Sequence, residues 1–174
     1  VSRITVRKAI DQLVGADVVI RKQGIGTFVA EKKLHRIMRN RIISFTEMCE
    51  LNGSIPSTEL ISAGWVKANS AVESHLELPQ LEKVIKIIRL RKVDGMPVML
   101  EESYYPKRAA FLLQENLTGS TYQAFQAHGL IPSHGKKTFE ICKATVKESE
   151  LLGTSKNKYL LLQEDTVTDQ NGEI

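Results

Sequence analysis

Cysteine is scarce in this chain of 174 residues. Cys49 and Cys142 are the only two, too few for a disulfide scaffold, and that scarcity fits a reducing cytoplasmic setting. No apolar run approaches the roughly 18 residues of a membrane span, and no signal-peptide pattern opens the chain, so no membrane partner is expected. The four histidines (His35, His75, His128, His134) show no metal-ligand spacing with either cysteine. No P-loop and no Ser/His/Asp ordering occurs. The expectation is therefore no catalytic residues, no metal and no cofactor. Repeats and low-complexity tracts are lacking too. With 42% hydrophobic and 25% charged residues, the composition is that of an ordinary globular protein.

Acidic residues are short at one end. Residues 1–41 carry ten Lys/Arg against three acids, while the remaining 133 carry fourteen against seventeen. A basic head on a near-neutral body suits a polyanion partner such as DNA, although a solvated basic surface has the same composition. The chain opens on Val1 inside what reads as a motif and stops at Ile174 just after a turn signal. It is read as a piece of a longer protein.

In the head, Ser2 caps a helix over about 3–14, with Val6, Ala9, Ile10, Leu13 and Val14 on one stripe. Strands at 18–20 and 27–30 flank a basic tip, Arg21 to Gly26, in which Gly24 and Gly26 permit the turn. A helix followed at once by a basic hairpin is what a winged helix-turn-helix requires. It equally describes an amphipathic helix packed on a hairpin with a charged outer face. Residues 31–41 read as a linker.

From 42 onward the pattern predicts helices near 45–52, 69–76, 107–114, 121–128 and 147–152. Strands are expected near 58–67, 83–93, 97–105, 138–146 and 158–168. Asp94-Gly95 marks a hairpin, and Trp65 reads as a core residue. Hairpins with intervening helices argue an α+β fold with an antiparallel sheet. Alternation along 83–93 puts Ile85, Ile87, Arg89, Arg91 and Val93 on one face. If that face packs inward, the guanidinium groups require an anionic partner, and their forks suit phosphate or carboxylate. Exposure on a half-solvated strand, or pairing with local acids, is the plainer reading. Ser44-Phe45-Thr46-Glu47 reads as a capping box, and Ser120 opens the helix at 121. Both helix starts are candidate phosphate seats, or simply caps. His134 is either a pocket-lining residue or a surface loop residue.

The run from Val1 to Leu13 resembles the recognition helix of GntR-type bacterial transcription regulators, and Arg21 to Ala30 resembles their wing. Asp17 stands where that family usually has Gly. The segments Ser44 to Glu47, Arg89 to Arg91, Asp94 to Pro97, Glu101 to Pro106, Ser120 to Tyr122 and Leu151 to Gly153 resemble the UTRA effector domain of the HutC-type branch. The resemblance implies a partial winged helix (1–30), a linker (31–41) and a chorismate-lyase-like antiparallel sheet with helices (42–174). The first two helices of the head and the last strands of the body would be absent, so weak or no operator binding is expected. It further implies DNA contacts by Ser2, Arg3, Thr5, Arg7, Lys8, Lys22, Gly24 and Gly26. A sugar phosphate would be held by Ser44, Phe45, Thr46, Arg89, Arg91, Glu101, Ser120 and Tyr122, with Glu101 at the sugar end. Residues at the sugar side would also come from the final strands.

The implied function is a ligand-responsive regulator, a repressor, working as a homodimer on a palindromic operator. A carboxylate effector and a lyase-like enzyme are the alternatives. Two registers are open to the hairpin at Asp94-Gly95. A two-residue turn at Asp94-Gly95 would bring Glu102 to the arginine face. A three-residue turn closed by a G1 bulge at Gly95 would pair Arg89 with Glu101, and the resemblance favours it.

Overall fold

The computed structural model describes residues 2–16, 18–29 and 42–174. Val1, Asp17 and residues 30–41, which include the expected linker at 31–41, lie outside them. Two compact units divide the chain, Val1–Arg36 and Ile37–Ile174.

In the first unit, helix α1 (Arg3–Gly15) begins where Ser2 Oγ accepts from the Thr5 amide at 3.2 Å. Strands β1 (Val19–Lys22) and β2 (Gly26–Val29) pair antiparallel, Arg21 opposite Thr27. Gly24 and Gly26 take φ of 75° and 146° at the tip, where a side chain would be strained. Arg21 reaches back to Asp11 at 2.7 Å. The expected apolar stripe of α1 gains little cover. Ile10 and Val14 are half-buried, Val6 and Leu13 remain exposed, and no described residue of this unit is fully buried.

The second unit is built around β4 (Lys83–Val93), the middle strand of an antiparallel sheet ordered β3-β4-β5, with β3 at Pro56–Lys67 and β5 at Met96–Tyr105. Flanked by a strand on each side, β4 buries Val84, Ile85, Ile87, Leu90 and Val93 together with Arg89 and Arg91, while Lys86, Ile88 and Lys92 are half-buried. On one face Val84 packs with Ala68 and Val72, the latter on α3 (Ser70–His75). On the other, Ile85 and Ile87 pack with Ala109, Leu112 and Leu117. The first two of those lie on Lys107–Gln114, a kinked 3₁₀ helix where a regular helix was expected. Helices α2 (Phe45–Leu51) and α4 (Thr121–Ala127) bear on the same unit. Strands β6 (His134–Lys143) and β7 (Tyr159–Thr168), joined through α5 (Val146–Leu151), form a separate antiparallel pair. Strand β6 starts four residues before the expected 138, because polar His134-Gly135-Lys136-Lys137 pairs with Asp165–Thr168 although it carries no apolar alternation.

The β4–β5 hairpin corrects one expectation. Val93 pairs with Met96, so the turn has two residues, and both Asp94 (φ 51°) and Gly95 (φ 81°) are left-handed, as a type I′ turn demands. No G1 bulge closes it. Instead an extra residue, Val98, is inserted between the Lys92–Pro97 and Arg91–Met99 pairs. Pro97 has no amide proton to give to a ladder, and irregular pairing is favoured beside it. The inserted residue restores Arg89 opposite Glu101. Trp65 is a second correction: at 43% exposure it lies outside the core.

Candidate functional site

Arg89 and Arg91 point into the unit from the same face of β4, 1% and 3% exposed. Such burial is tolerated only with compensation, and Glu101 supplies it. Its Oε1 accepts from Arg89 Nε at 3.1 Å and from Arg89 Nη2, and its Oε2 accepts from Arg91 Nε at 2.9 Å. Burial, the strongest influence, pushes the Glu101 carboxyl up, but the two guanidinium groups outweigh it and hold the group below its ordinary value. Burial pulls Arg91 down, opposed by Glu101.

Further acceptors for the two guanidinium groups come from residues that the sequence patterns do not single out. Arg89 Nη1 donates to the carbonyls of Leu117 (3.4 Å) and Gly119 (3.3 Å), and Arg89 Nη2 to Thr121 Oγ1 (3.2 Å). Arg91 Nη1 donates to Thr58 Oγ1 at 2.8 Å. Ser103 Oγ donates to Glu101 Oε1 at 3.2 Å. Ser103 was open to discovery, since it lies two residues beyond Glu101 on the same face. Thr58 stands directly across from Arg91 in β3–β4, but no local pattern announces a pairing between strands 33 positions apart with a bulge between Leu60 and Ser62.

Both helix starts meet the arginines. The Phe45 ring in the first turn of α2 lies 5.1 Å from the Arg91 guanidinium. Thr121, the first residue of α4, touches Arg89. Both serines cap their helices: Ser44 Oγ accepts from the Glu47 amide at 3.1 Å, the serine half of the expected capping box, and Ser120 Oγ accepts from the Gln123 amide at 3.4 Å. The full reciprocal box is formed instead by Thr145 and Glu148 at α5. Thr46 and Tyr122 lie half-buried on these helices. Burial, and next Glu101, push the Tyr105 phenol up, against the opposing influence of Arg89, Ser103 and Thr121. Cys49, also on α2, is fully buried, and burial raises its thiol above the ordinary value.

His134 lies apart from this cluster. With His75 and Glu77 it lines an open cavity of about 440 Å³ along β6 and β7, to which none of the expected effector residues contributes. Among the head residues, Arg3, Arg7 and Lys8 are exposed on α1. Ser2 and Thr5 are engaged with each other in the cap, and Lys22 lies over Phe28 at 5.6 Å. Among the described residues no helix is long and apolar enough to cross a membrane, and no group of three His, Cys, Asp or Glu is placed to hold a metal.

Residues 52–174 match the UTRA domain, and residues 1–29 match the bacterial regulatory proteins of the gntR family. Over 174 residues the chain is 31% identical to the HTH-type transcriptional repressor NagR of Bacillus subtilis (strain 168), covering 99% of this chain and 71% of that one. It is 32% identical to the "Probable fructoselysine utilization operon transcriptional repressor" of Escherichia coli (strain K12), covering 98% and 71%. The crystal structure of PhnF from Mycobacterium smegmatis shares the fold, with a TM-score of 0.84 at 24% identity over 99% of this chain and 76% of that chain. Both of these relatives are named as transcriptional repressors, not as enzymes.

Proposed function

This chain belongs to the gntR family of bacterial regulatory proteins and carries a UTRA domain, and from that premise we propose that its second unit senses a small phosphorylated sugar at the Arg89–Arg91 pair. One observation carries the reading. Two buried guanidinium groups face a single carboxylate, so one positive charge is left over where the dielectric is low and an anion is worth most. Arginine forks fit phosphate bidentately. Ser44, Thr46, Ser120 and Tyr122 are the hydroxyl residues proposed to complete the seat, supported by the contacts of Phe45 and Thr121, on the same two helix starts, with the arginines. Glu101 serves the hydroxyls of the sugar. A relative named for fructoselysine utilization supports a sugar-derived effector.

Control of DNA follows by linkage. Arg3, Arg7 and Lys8 offer phosphate and base-edge donors, with Lys22 and the glycines of the hairpin tip beside the backbone. In a homodimer, an effector that binds one arrangement better shifts the spacing of the two heads against a palindromic operator. The test is calorimetry and thermal melting with glucosamine 6-phosphate, glucosamine and inorganic phosphate. The phosphorylated sugar raises Tm by a few degrees, and Arg91→Ala abolishes the shift. Absence of any phosphate-dependent shift in the wild type overturns the reading.

A carboxylate effector is the second reading, because the pair already accepts one carboxylate, that of Glu101. A panel of amino acids and imidazole carboxylates in the same assay separates the two.

A further inference from the structure

Arg89 and Arg91 are not held alike. Arg89 is tied by Glu101, by two backbone carbonyls of the segment before α4 and by Thr121. Arg91 is tied by Glu101 Oε2 and by Thr58, with the Phe45 ring beside it. The carboxylate is equally lopsided. Its Oε1 takes Arg89 and the Ser103 hydroxyl, while its Oε2 takes Arg91. Letting go of Arg91 breaks one hydrogen bond at one oxygen. Letting go of Arg89 breaks the stronger half of the pairing at a residue that three other acceptors keep in place.

Resting on the effector-site reading above, we infer that Glu101 is a built-in competitor for the ligand. The incoming oxyanion replaces Glu101 Oε2 on Arg91, while Glu101 stays on Arg89. The exchange balances: Arg91 trades one anionic acceptor for another, and the released Oε2 accepts from a hydroxyl of the sugar. A phosphorylated sugar supplies both halves of the trade. Inorganic phosphate supplies the acceptor but no hydroxyl at the right distance, so the carboxylate screens it out. Glu101 thereby sets specificity for a phosphate ester over bare phosphate, and Phe45 on α2 feels the exchange through the Arg91 plane.

The experiment compares full-chain wild type, E101Q and E101D in calorimetric titrations with inorganic phosphate and with glucosamine 6-phosphate at fixed pH. Asp keeps the charge but is one methylene short of bridging both arginines, so a gain in E101D reports removal of the competitor rather than of repulsion. The expected result is inorganic phosphate binding at least fivefold tighter in E101D and E101Q than in wild type, with a smaller preference for the sugar ester. Equal or weaker phosphate binding in E101D overturns the inference while leaving the effector site standing, provided that wild type binds the ester. If wild type binds neither ligand, the effector-site reading itself fails. Should either variant not fold, arginine Nε–Hε NMR of the wild type decides. A titration with the ester that moves the Arg91 resonance and spares Arg89 supports the exchange, and one that moves both or neither overturns it.

Discussion

Arg89 and Glu101 face each other across the β4–β5 ladder, and the carboxylate reaches past its direct partner to Arg91. Removing one member of a buried pair strands the others. Arg89→Ala leaves Glu101 with half its compensation and empties space beside Thr121, and about 3 kcal/mol of stability should be lost in urea unfolding. Arg89→Lys should recover little of it, because an ammonium cannot serve Glu101, Thr121 and two carbonyls in one plane.

The acid limb of stability should belong partly to Glu101. Its folded value lies below its unfolded value of about 4.3, so the stabilisation is fully present above that pH and disappears as the pH drops through the folded value. Asp169, lowered first by its hydrogen bond from Arg108, acts in the same direction. Melting curves from pH 3 to 7 should show a steep loss below about pH 4, visibly flatter in E101Q and again flatter in D169N.

Thr58 tests a contact made between distant strands. Thr58→Val keeps the shape but leaves Arg91 Nη1 without its 2.8 Å acceptor, an expected cost of about 1–2 kcal/mol. Ligand affinity should fall with it, since Arg91 is then held in position by less. Thr58→Ser should restore both, measured by urea unfolding and by calorimetry.

The hairpin offers a backbone test. Asp94 is left-handed, and its Oδ1 accepts from the Ile55 amide at 2.9 Å. Asp94→Ala loses the hydrogen bond and gains a steric penalty, together about 2 kcal/mol. Asp94→Asn, which tolerates the same backbone, should lose less than half of that in thermal melts.

The first unit should exchange its amide protons rapidly. With no described residue fully buried, α1 has its cap, two half-buried side chains, Ile10 and Val14, and a surface ion pair, Arg21–Asp11, of the kind worth less than about 1 kcal/mol. Hydrogen–deuterium exchange should find residues 3–29 labelled orders of magnitude faster than β4.

Much of this was legible because it was local. Asp94-Gly95 announces its turn, Ser2, Ser44 and Ser120 announce their caps, and alternation along 83–93 assigns both arginines to one face. Arg89 pairs with Glu101 as the resemblance implies, but by another route: the molecule uses a two-residue turn and a bulge in place of a three-residue turn. Bulges depend on how strands meet, and no propensity at Val98 reveals one. The carbonyls of Leu117 and Gly119 were invisible for a related reason, because any residue type offers the same oxygen. Trp65 misled because size suggests burial, whereas its place on β3 leaves it partly in solvent.

The spare residue in the β4–β5 hairpin bears on how such chains can diverge. Losing any one residue between the turn and Glu101 would absorb the irregularity and leave the carboxylate across from Arg89. Gaining one would demand a second irregularity or rotate the carboxylate to the opposite side of the sheet. Length drift in this hairpin is thus one-sided, with single deletions silent at the arginines and single insertions not.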